Sequence, residues 1–240
     1  MDEKLLEQFD RNEENQKLLN LYESKNYREV IAEIVETNKK VGGKELVLHL
    51  PCITGNYKEM DKKILIIGQE LDGWREIRDN PKDAMLDTLD ISLKKPPKHP
   101  RPFNSFSLKF CKMVNKPKFP VSWASTNIRK FSYKKTPKFK LHEKVQNLIY
   151  DKFNCLEEEI KIINPEIVLF LTGPNYDYYI KAQLNGVEFK TVENYNIRQF
   201  ARVEHKSLPK NSFRIYHPRY LKRRGIYNKY LNVLKKECGL

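Results

Sequence analysis

The feature that most constrains the fold is a run of four aliphatic residues, 64–67, which is followed by Gly68, Gln69 and Glu70. Three of the four are β-branched, and an uninterrupted apolar run of this length predicts a strand that is buried on both faces. The glycine lets the backbone turn sharply. Taken alone, the stretch fits an ordinary turn with a solvated acid better than a functional site. However, ligands of open α/β sheets bind outside the carboxyl ends of the strands, where Glu70 would lie.

Three further segments predict strands, namely 121–127, 166–173 and 213–218. Helical apolar spacing lies between or after them, at 81–93, 103–114, 142–163 and about 225–236. Shorter β-like pieces occur at 45–51, 187–189 and 201–203. Strands that alternate with helices imply an α/β fold. We therefore predict a four-stranded, mostly parallel sheet flanked by helices on both faces.

The first part of the chain predicts a helical extension, residues 1–44, ahead of an α/β domain over residues 45–240. Two amphipathic helices fit about the first 40 residues, and Asn26 with Glu29 forms a possible capping box for the second. A chain of 240 residues is long enough for one domain with a full core. We expect the extension and the domain to form one compact unit.

The charge distribution points to a polyanionic partner. The net charge is +14, and the segment 94–140 carries 14 Lys/Arg and no Asp or Glu. The segment 206–236 carries 10 more basic residues, again with no acid. Charge runs are usually solvated faces, but acid-free stretches of this length would repel themselves on a plain surface. DNA or RNA is therefore the expected partner.

Composition argues against several other classes. No apolar run approaches the roughly 20 residues of a membrane span, and the acidic N-terminus lacks a signal sequence, so we expect a cytoplasmic protein with no membrane partner. The four cysteines lie far apart, without a CxxC pair, which predicts reduced, structural thiols rather than a zinc or iron–sulfur site. We expect no cofactor, and a monomer.

The four predicted strands would place Glu70, Asn127, Gly173 and His217 at one edge of the sheet. A carboxylate, an amide and an imidazole beside two basic segments suit chemistry on a nucleobase. In these motifs the chain resembles the uracil-DNA glycosylase superfamily, which carries Gly-Gln-Asp-Pro-Tyr-His after its first strand, an Asn at the end of its second, and His-Pro-Ser-Pro-Leu-Ser after its last. The resemblance covers roughly residues 45–240. The matching stretches here are 68–73, Asn127 within 125–130, and 217–222, with 224–227 echoing the Arg-Gly-aromatic continuation.

The resemblance implies a monofunctional, metal-independent DNA glycosylase that flips out a base and hydrolyses its N-glycosidic bond, leaving an abasic site. Glu70 would stabilise the cationic sugar and orient the attacking water. His217 would hydrogen-bond the charge that develops on the base oxygen. Asn127 would recognise the Watson–Crick edge, and the backbone at Gly68 and Gln69 would hold the base or a phosphate.

Other residues acquire DNA-contacting roles by the same resemblance. Phe103 or Phe106 would stack on the flipped base, although their helical spacing fits core positions better. Leu221 matches the family's apolar wedge and fits the core equally well. Phosphate contacts would make DNA affinity fall steeply with salt. The residues expected to contact DNA are Lys130, Lys134, Arg219, Tyr220, Leu221, Arg223 and Arg224.

Each of the three polar candidates also has a structural explanation. Glu70 could simply pair with one of the many basic side chains. Asn127 could cap a following helix. His217 could be a histidine whose hydrogen bonds only support the fold.

The departures from the family pattern bear on the substrate. Glu70 replaces the family's Asp, and Asp72 stands where the family has a Tyr that blocks bulk at uracil C5. We therefore expect Asp72 to border a pocket open to uracil or to C5-substituted pyrimidines, in DNA repair or in antiviral defence against modified phage DNA. A catalytically inactive DNA-binding relative is the main alternative. A nuclease is disfavoured because no cluster of carboxylates suited to Mg²⁺ accompanies Glu70 and Asp72.

Overall fold

A six-stranded sheet forms the centre of the molecule. The computed structural model describes residues 3–71, 76–93, 101–115, 121–136, 139–192 and 194–239. The strands in these ranges are β1 Leu46–Leu48, β2 Ile64–Gly68, β3 Ala124–Asn127, β4 Phe131–Tyr133, β5 Ile167–Phe170, β6 Glu188–Thr191, β7 Phe200–Glu204 and β8 Asn211–Ile215.

The main sheet has the strand order β3-β2-β5-β8-β7-β6. Its first four strands are mutually parallel, while β7 runs antiparallel to both β8 and β6. The α/β class and the mostly parallel sheet are confirmed, but the predicted count of four strands is wrong. The short β-like pieces near 187–189 and 201–203 extend the main sheet as β6 and β7. Strands β1 and β4 pair separately as a two-stranded antiparallel sheet.

Ten α-helices lie within the described ranges and cover the sheet. They are α1 Glu3–Asp10, α2 Glu13–Ser24, α3 Tyr27–Lys40, α4 Pro81–Leu93, α5 Pro102–Val114, α6 Glu143–Lys152, α7 Leu156–Ile163, α8 Asp177–Gln183, α9 Pro218–Arg223 and α10 Tyr227–Glu237. None of these helices is long and apolar enough to cross a bilayer, as far as the described residues extend.

Strand β2 shows how the two faces of the sheet are filled. Alternate side chains of a strand point to opposite faces. Leu65 and Ile67 join a core with helices α1 to α4, α6, α7 and α8, whereas Ile64 and Ile66 join a second core with α5, α9 and α10. All four side chains are fully buried. The uninterrupted apolar run in the sequence therefore reflects burial on both faces, with helices on each.

The N-terminal segment forms three helices rather than the two predicted. Asn26 separates α2 from α3 in a left-handed conformation, with φ of 52° and no side-chain cap, so the expected capping box is absent. The three helices share one core with the sheet. A hydrogen bond of 2.8 Å from the Tyr22 hydroxyl to Glu159 ties α2 to α7.

The single helical stripe predicted at 142–163 is divided into α6 and α7. Phe153, between them, is buried among the rings of Tyr22, Tyr27 and Phe131, at centroid distances of 5.7 to 6.2 Å. This packing draws the chain out of the helical path. Asn164 then ends α7 in a left-handed conformation before β5 begins.

Candidate functional site

The carboxyl ends of four parallel strands meet at one edge of the sheet. Beyond the regular ladder, the Ile128 amide donates to the Gly68 carbonyl at 2.9 Å, and the Arg129 amide donates to the Gln69 carbonyl at 3.0 Å. The Gly173 amide donates to the Ile215 carbonyl at 2.9 Å. These bonds hold the segments after β2, β3, β5 and β8 side by side. The four residues chosen from the sequence therefore lie along one edge.

One group of side chains at this edge consists of Gly68, Phe103, Asn127 and His217, which we call the Phe103 cluster. Gly68 lies opposite Asn127 in the parallel ladder. The Phe103 and His217 rings stack at a centroid distance of 6.2 Å with 24° between their planes. All three side chains are partly exposed, so the cluster presents an aromatic ring, an amide and an imidazole at the surface of the edge.

Gly68 makes this approach possible because it has no side chain. A Cβ atom at this position would collide with the Asn127 Oδ1 atom and lie 3.3 Å from the Phe103 ring. The amide and the ring therefore occupy the space where a side chain of β2 would project.

His217 caps the helix that follows it. Its Nδ1 atom accepts a hydrogen bond from the Arg219 amide at 3.2 Å, and Pro218 occupies the first helical position, which suits proline. Because Nδ1 is an acceptor, the neutral ring carries its proton on Nε2. The structural role therefore fixes the tautomer and makes Nε2 a hydrogen-bond donor.

Asn127 does not start a helix. The chain continues from it directly into β4, so the alternative of a helix cap is wrong. A carboxamide offers both donors and an acceptor, which suits recognition of a base edge.

Glu70 belongs to a second group, with Arg129 and Tyr176, which we call the Glu70 cluster. The Tyr176 hydroxyl donates to Glu70 Oε2 at 2.5 Å, and Arg129 Nη1 lies 3.4 Å from the same oxygen. The Glu70 side chain is 6% exposed and that of Arg129 is 2% exposed. Burial and the neighbouring Glu70 charge hold the pKa of the Tyr176 hydroxyl well above its usual range. The tyrosine therefore remains a proton donor to the carboxylate.

Sequence reasoning missed Arg129 and Tyr176. Both residues follow the ends of parallel strands, Arg129 two residues after β3 and Tyr176 shortly after β5. This position after a strand end is the sequence signal that could have identified them. Gln69, between the two clusters, donates from its side chain to the Thr172 carbonyl at 2.7 Å. This bond ties the turn after β2 to the end of β5. Gln69 thus helps to hold the edge together.

Four other candidates are placed differently from the predictions. Phe106 and Leu221 are fully buried in the core under α5 and α9, because their helical spacing directs them inward. Lys130 is 3% exposed and pairs with Glu159 at 2.5 Å on the opposite face. Phe106 and Leu221 thus occupy the core positions that their spacing also allowed, and in this conformation none of the three side chains is exposed for stacking, for a wedge or for phosphate binding. Lys134 is bonded to two glutamates, Glu45 at 2.7 Å and Glu76 at 3.2 Å, so its charge is already compensated.

Exposed basic side chains are found at α9, the helix that His217 caps. Arg219, Arg223 and Arg224 are exposed. The guanidinium groups of Arg223 and Arg224 lie 5.6 and 5.7 Å from the centre of the Tyr220 ring. The helix thus presents cations and one aromatic ring beside the Phe103 cluster. The remaining candidate, Asp72, lies outside the described residues.

Within the described ranges, no group of three or more His, Cys, Asp and Glu side chains is arranged to hold a metal ion. No protein-family model matches the sequence, and no curated protein matches it at a significant level. The fold and the site together define an α/β protein with an aromatic, amide and imidazole cluster at the carboxyl edge of its parallel strands.

Proposed function

We propose that this chain is a DNA glycosylase that flips out a pyrimidine, uracil or a C5-substituted relative, and hydrolyses its N-glycosidic bond. The observation that carries the proposal is the Phe103 cluster. It combines a ring that can stack on a base, an amide that can pair with a base edge and an imidazole that donates from Nε2. The cations of α9 lie next to it, where they could contact the phosphates of the same strand.

The chemistry follows from what each group can offer. As the bond from the sugar C1′ to the base nitrogen breaks, the base leaves with the electron pair and negative charge gathers on its oxygen. The Nε2 proton of His217 can donate to that oxygen, and a donor already in place stabilises the departing anion. Water adds its hydroxyl to C1′, and its remaining proton neutralises the base.

The surroundings of Glu70 support a catalytic role in one respect and argue against it in another. A carboxylate at the end of β2 could stabilise a cationic sugar, and the hydrogen bond from Tyr176 holds its orientation. However, the charge of Arg129 partly compensates that of Glu70. This ion pair favours a second candidate function, in which the chain binds DNA through the same edge without cleaving the bond.

The deciding experiment is mass spectrometry of bases released from uracil-containing, C5-modified and phage genomic DNA. We expect the protein to release a base and Glu70→Gln to abolish release while DNA affinity is retained. A matched control is Glu237→Gln, which alters a Glu–Arg pair between α10 and β7, where Glu237 lies 2.9 Å from Arg202. The control should retain full release.

Other outcomes separate the candidates. Tight DNA binding with no base released from any substrate would contradict the glycosylase and favour the binding protein. Release of uracil alone, with C5-substituted bases left in place, would contradict the open pocket. A DNA affinity that does not change with salt would contradict any role in nucleic-acid binding.

A further inference from the structure

Two aromatic side chains stand out because the core does not use them. Tyr178 is 65% exposed and Phe139 is 63% exposed, more than any other large apolar side chain in the described ranges. Large apolar groups that remain exposed together indicate a contact surface rather than a packing role.

Arg129 connects the two aromatic residues to each other and to the candidate site. Its Nη2 atom donates to the Phe139 carbonyl at 2.8 Å, and its guanidinium carbon lies 5.5 Å from the centre of the Tyr179 ring. The Tyr178 ring contacts the Tyr179 ring edge-on, at a centroid distance of 5.4 Å. Since Arg129 also pairs with Glu70, it links the Phe139 backbone and the Tyr178–Tyr179 ring pair to the Glu70 cluster.

Cations accompany the rings. The Lys44 ammonium lies 5.2 Å from the centre of the Phe139 ring. Lys135 and Lys140, near Phe139 in the chain, are exposed. Aromatic rings interspersed with cations are the combination that single-stranded nucleic acids bind, because rings stack on bases while cations contact phosphates.

We propose that Tyr178 and Phe139 form a stacking surface for unpaired bases, so that the DNA bound at this site is single-stranded. In a duplex the faces of the bases are already stacked on one another and cannot cover these rings. The strand would run past the Glu70 cluster, with Lys44 beside its phosphates. This inference rests on the proposed function for the identity of the ligand, and it adds the strandedness of the substrate.

The test is fluorescence anisotropy of a labelled single strand and of the matching duplex, at one salt concentration, with the full chain. We expect Tyr178→Ala and Phe139→Ala each to weaken single-strand binding about fivefold or more, the effect of losing one base–aromatic stack. Duplex affinity should change less than about twofold. Both side chains are exposed, so truncation should not unfold the chain.

Two controls separate stacking from general effects. Tyr178→Phe keeps the ring and should retain single-strand affinity. Ile91→Ala truncates a side chain on α4 that is 37% exposed, and it should leave the affinity for both the single strand and the duplex unchanged.

Single-strand affinity that is unchanged in both alanine variants would overturn the inference, as would an equal loss on the duplex. Base release together with unchanged single-strand affinity of the alanine variants would contradict the stacking surface but not the glycosylase. Binding of single strands that depends on the two rings, without base release, would support the stacking surface and contradict the glycosylase.

Discussion

Gly68 is both the last residue of a buried strand and a wall of the candidate site. Its backbone continues the parallel ladder, while the space at its Cα is occupied by the Asn127 amide and the edge of the Phe103 ring. A methyl group here would meet the end of a side chain rather than backbone, so the fold could adapt by turning the amide away. The site would lose its base-recognising group.

We therefore expect Gly68→Ala to fold with nearly unchanged stability but to release bases roughly tenfold or more slowly, the scale of one lost bidentate base contact. Kinetics of base release and urea unfolding, measured on the same preparation, would check this.

Gly55→Ala is the matched control, because a Cβ there meets nothing within 4 Å. Full activity of Gly68→Ala would show that Asn127 does not contact the base.

For single residues, the sequence predicted where along the sheet a side chain lies better than it predicted which groups surround that side chain. The order of strands and turns was enough to place Asn127 and His217 at the edge. It could not show that Lys130 points to the opposite face, because its partner Glu159 lies 29 residues away in another element. Nor could it identify Tyr176, whose role depends on the distance to Glu70 across two strands.

At the scale of elements, a buried polar network joins β3 to the helices beneath it. Glu159 on α7 accepts hydrogen bonds from Lys130, from Thr126 at 3.2 Å and from Tyr22 at 2.8 Å. Glu159 is fully buried, and Thr126 directly precedes Asn127. The network therefore supports the strand that carries the candidate base-recognising amide.

Removing one charge of a buried pair leaves the other uncompensated. We expect Glu159→Gln to lower the free energy of unfolding by about 3 to 5 kcal/mol, measured by urea denaturation.

Lys161→Ala breaks an exposed pair on the same helix, where the Lys161 side chain is 58% exposed, and should cost less than about 1 kcal/mol. Equal effects of the two substitutions would contradict a special role for the buried network.

Apolar runs predicted β2 and β5 because those two strands are buried on both faces. In β3, by contrast, buried and partly exposed residues alternate. Strands β6 and β7 lacked that signal: most of β6 is exposed, and its residues Glu188 and Lys190 are charged. Their place in the main sheet is decided by the pairing of β7 with β8 and of β6 with β7, which local sequence does not encode. The division of 142–163 likewise depends on the distant rings that surround Phe153.

For the whole molecule, burial controls the chemistry of the four free thiols. Cys52, Cys111 and Cys155 are buried and Cys238 is partly buried. Burial raises the pKa of both Cys155 and Cys238 to about 12 and that of Cys111 still further. Thiol reagents attack the thiolate, so the folded protein offers them little to react with near neutral pH.

We expect labelling by a disulfide reagent at pH 8 to be at least about a hundredfold slower in the folded protein than in guanidinium chloride. Four thiols should react once the chain unfolds. Reactivity of Cys111, Cys155 and Cys238 in the folded protein should stay low into the alkaline range, because burial raises the pKa of each of these thiols. Rapid labelling of any thiol at pH 8 would contradict the burial described.

The hydrogen bond between Tyr22 and Glu159 joins residues 137 positions apart in the chain. During synthesis α2 therefore cannot form this bond until α7 has left the ribosome, on the order of ten seconds later at ordinary elongation rates. The part of α2 that packs on α7 remains uncovered throughout that interval. We expect such a nascent chain to bind ribosome-associated chaperones. Pausing translation before residue 159 should leave the N-terminal helices sensitive to proteases.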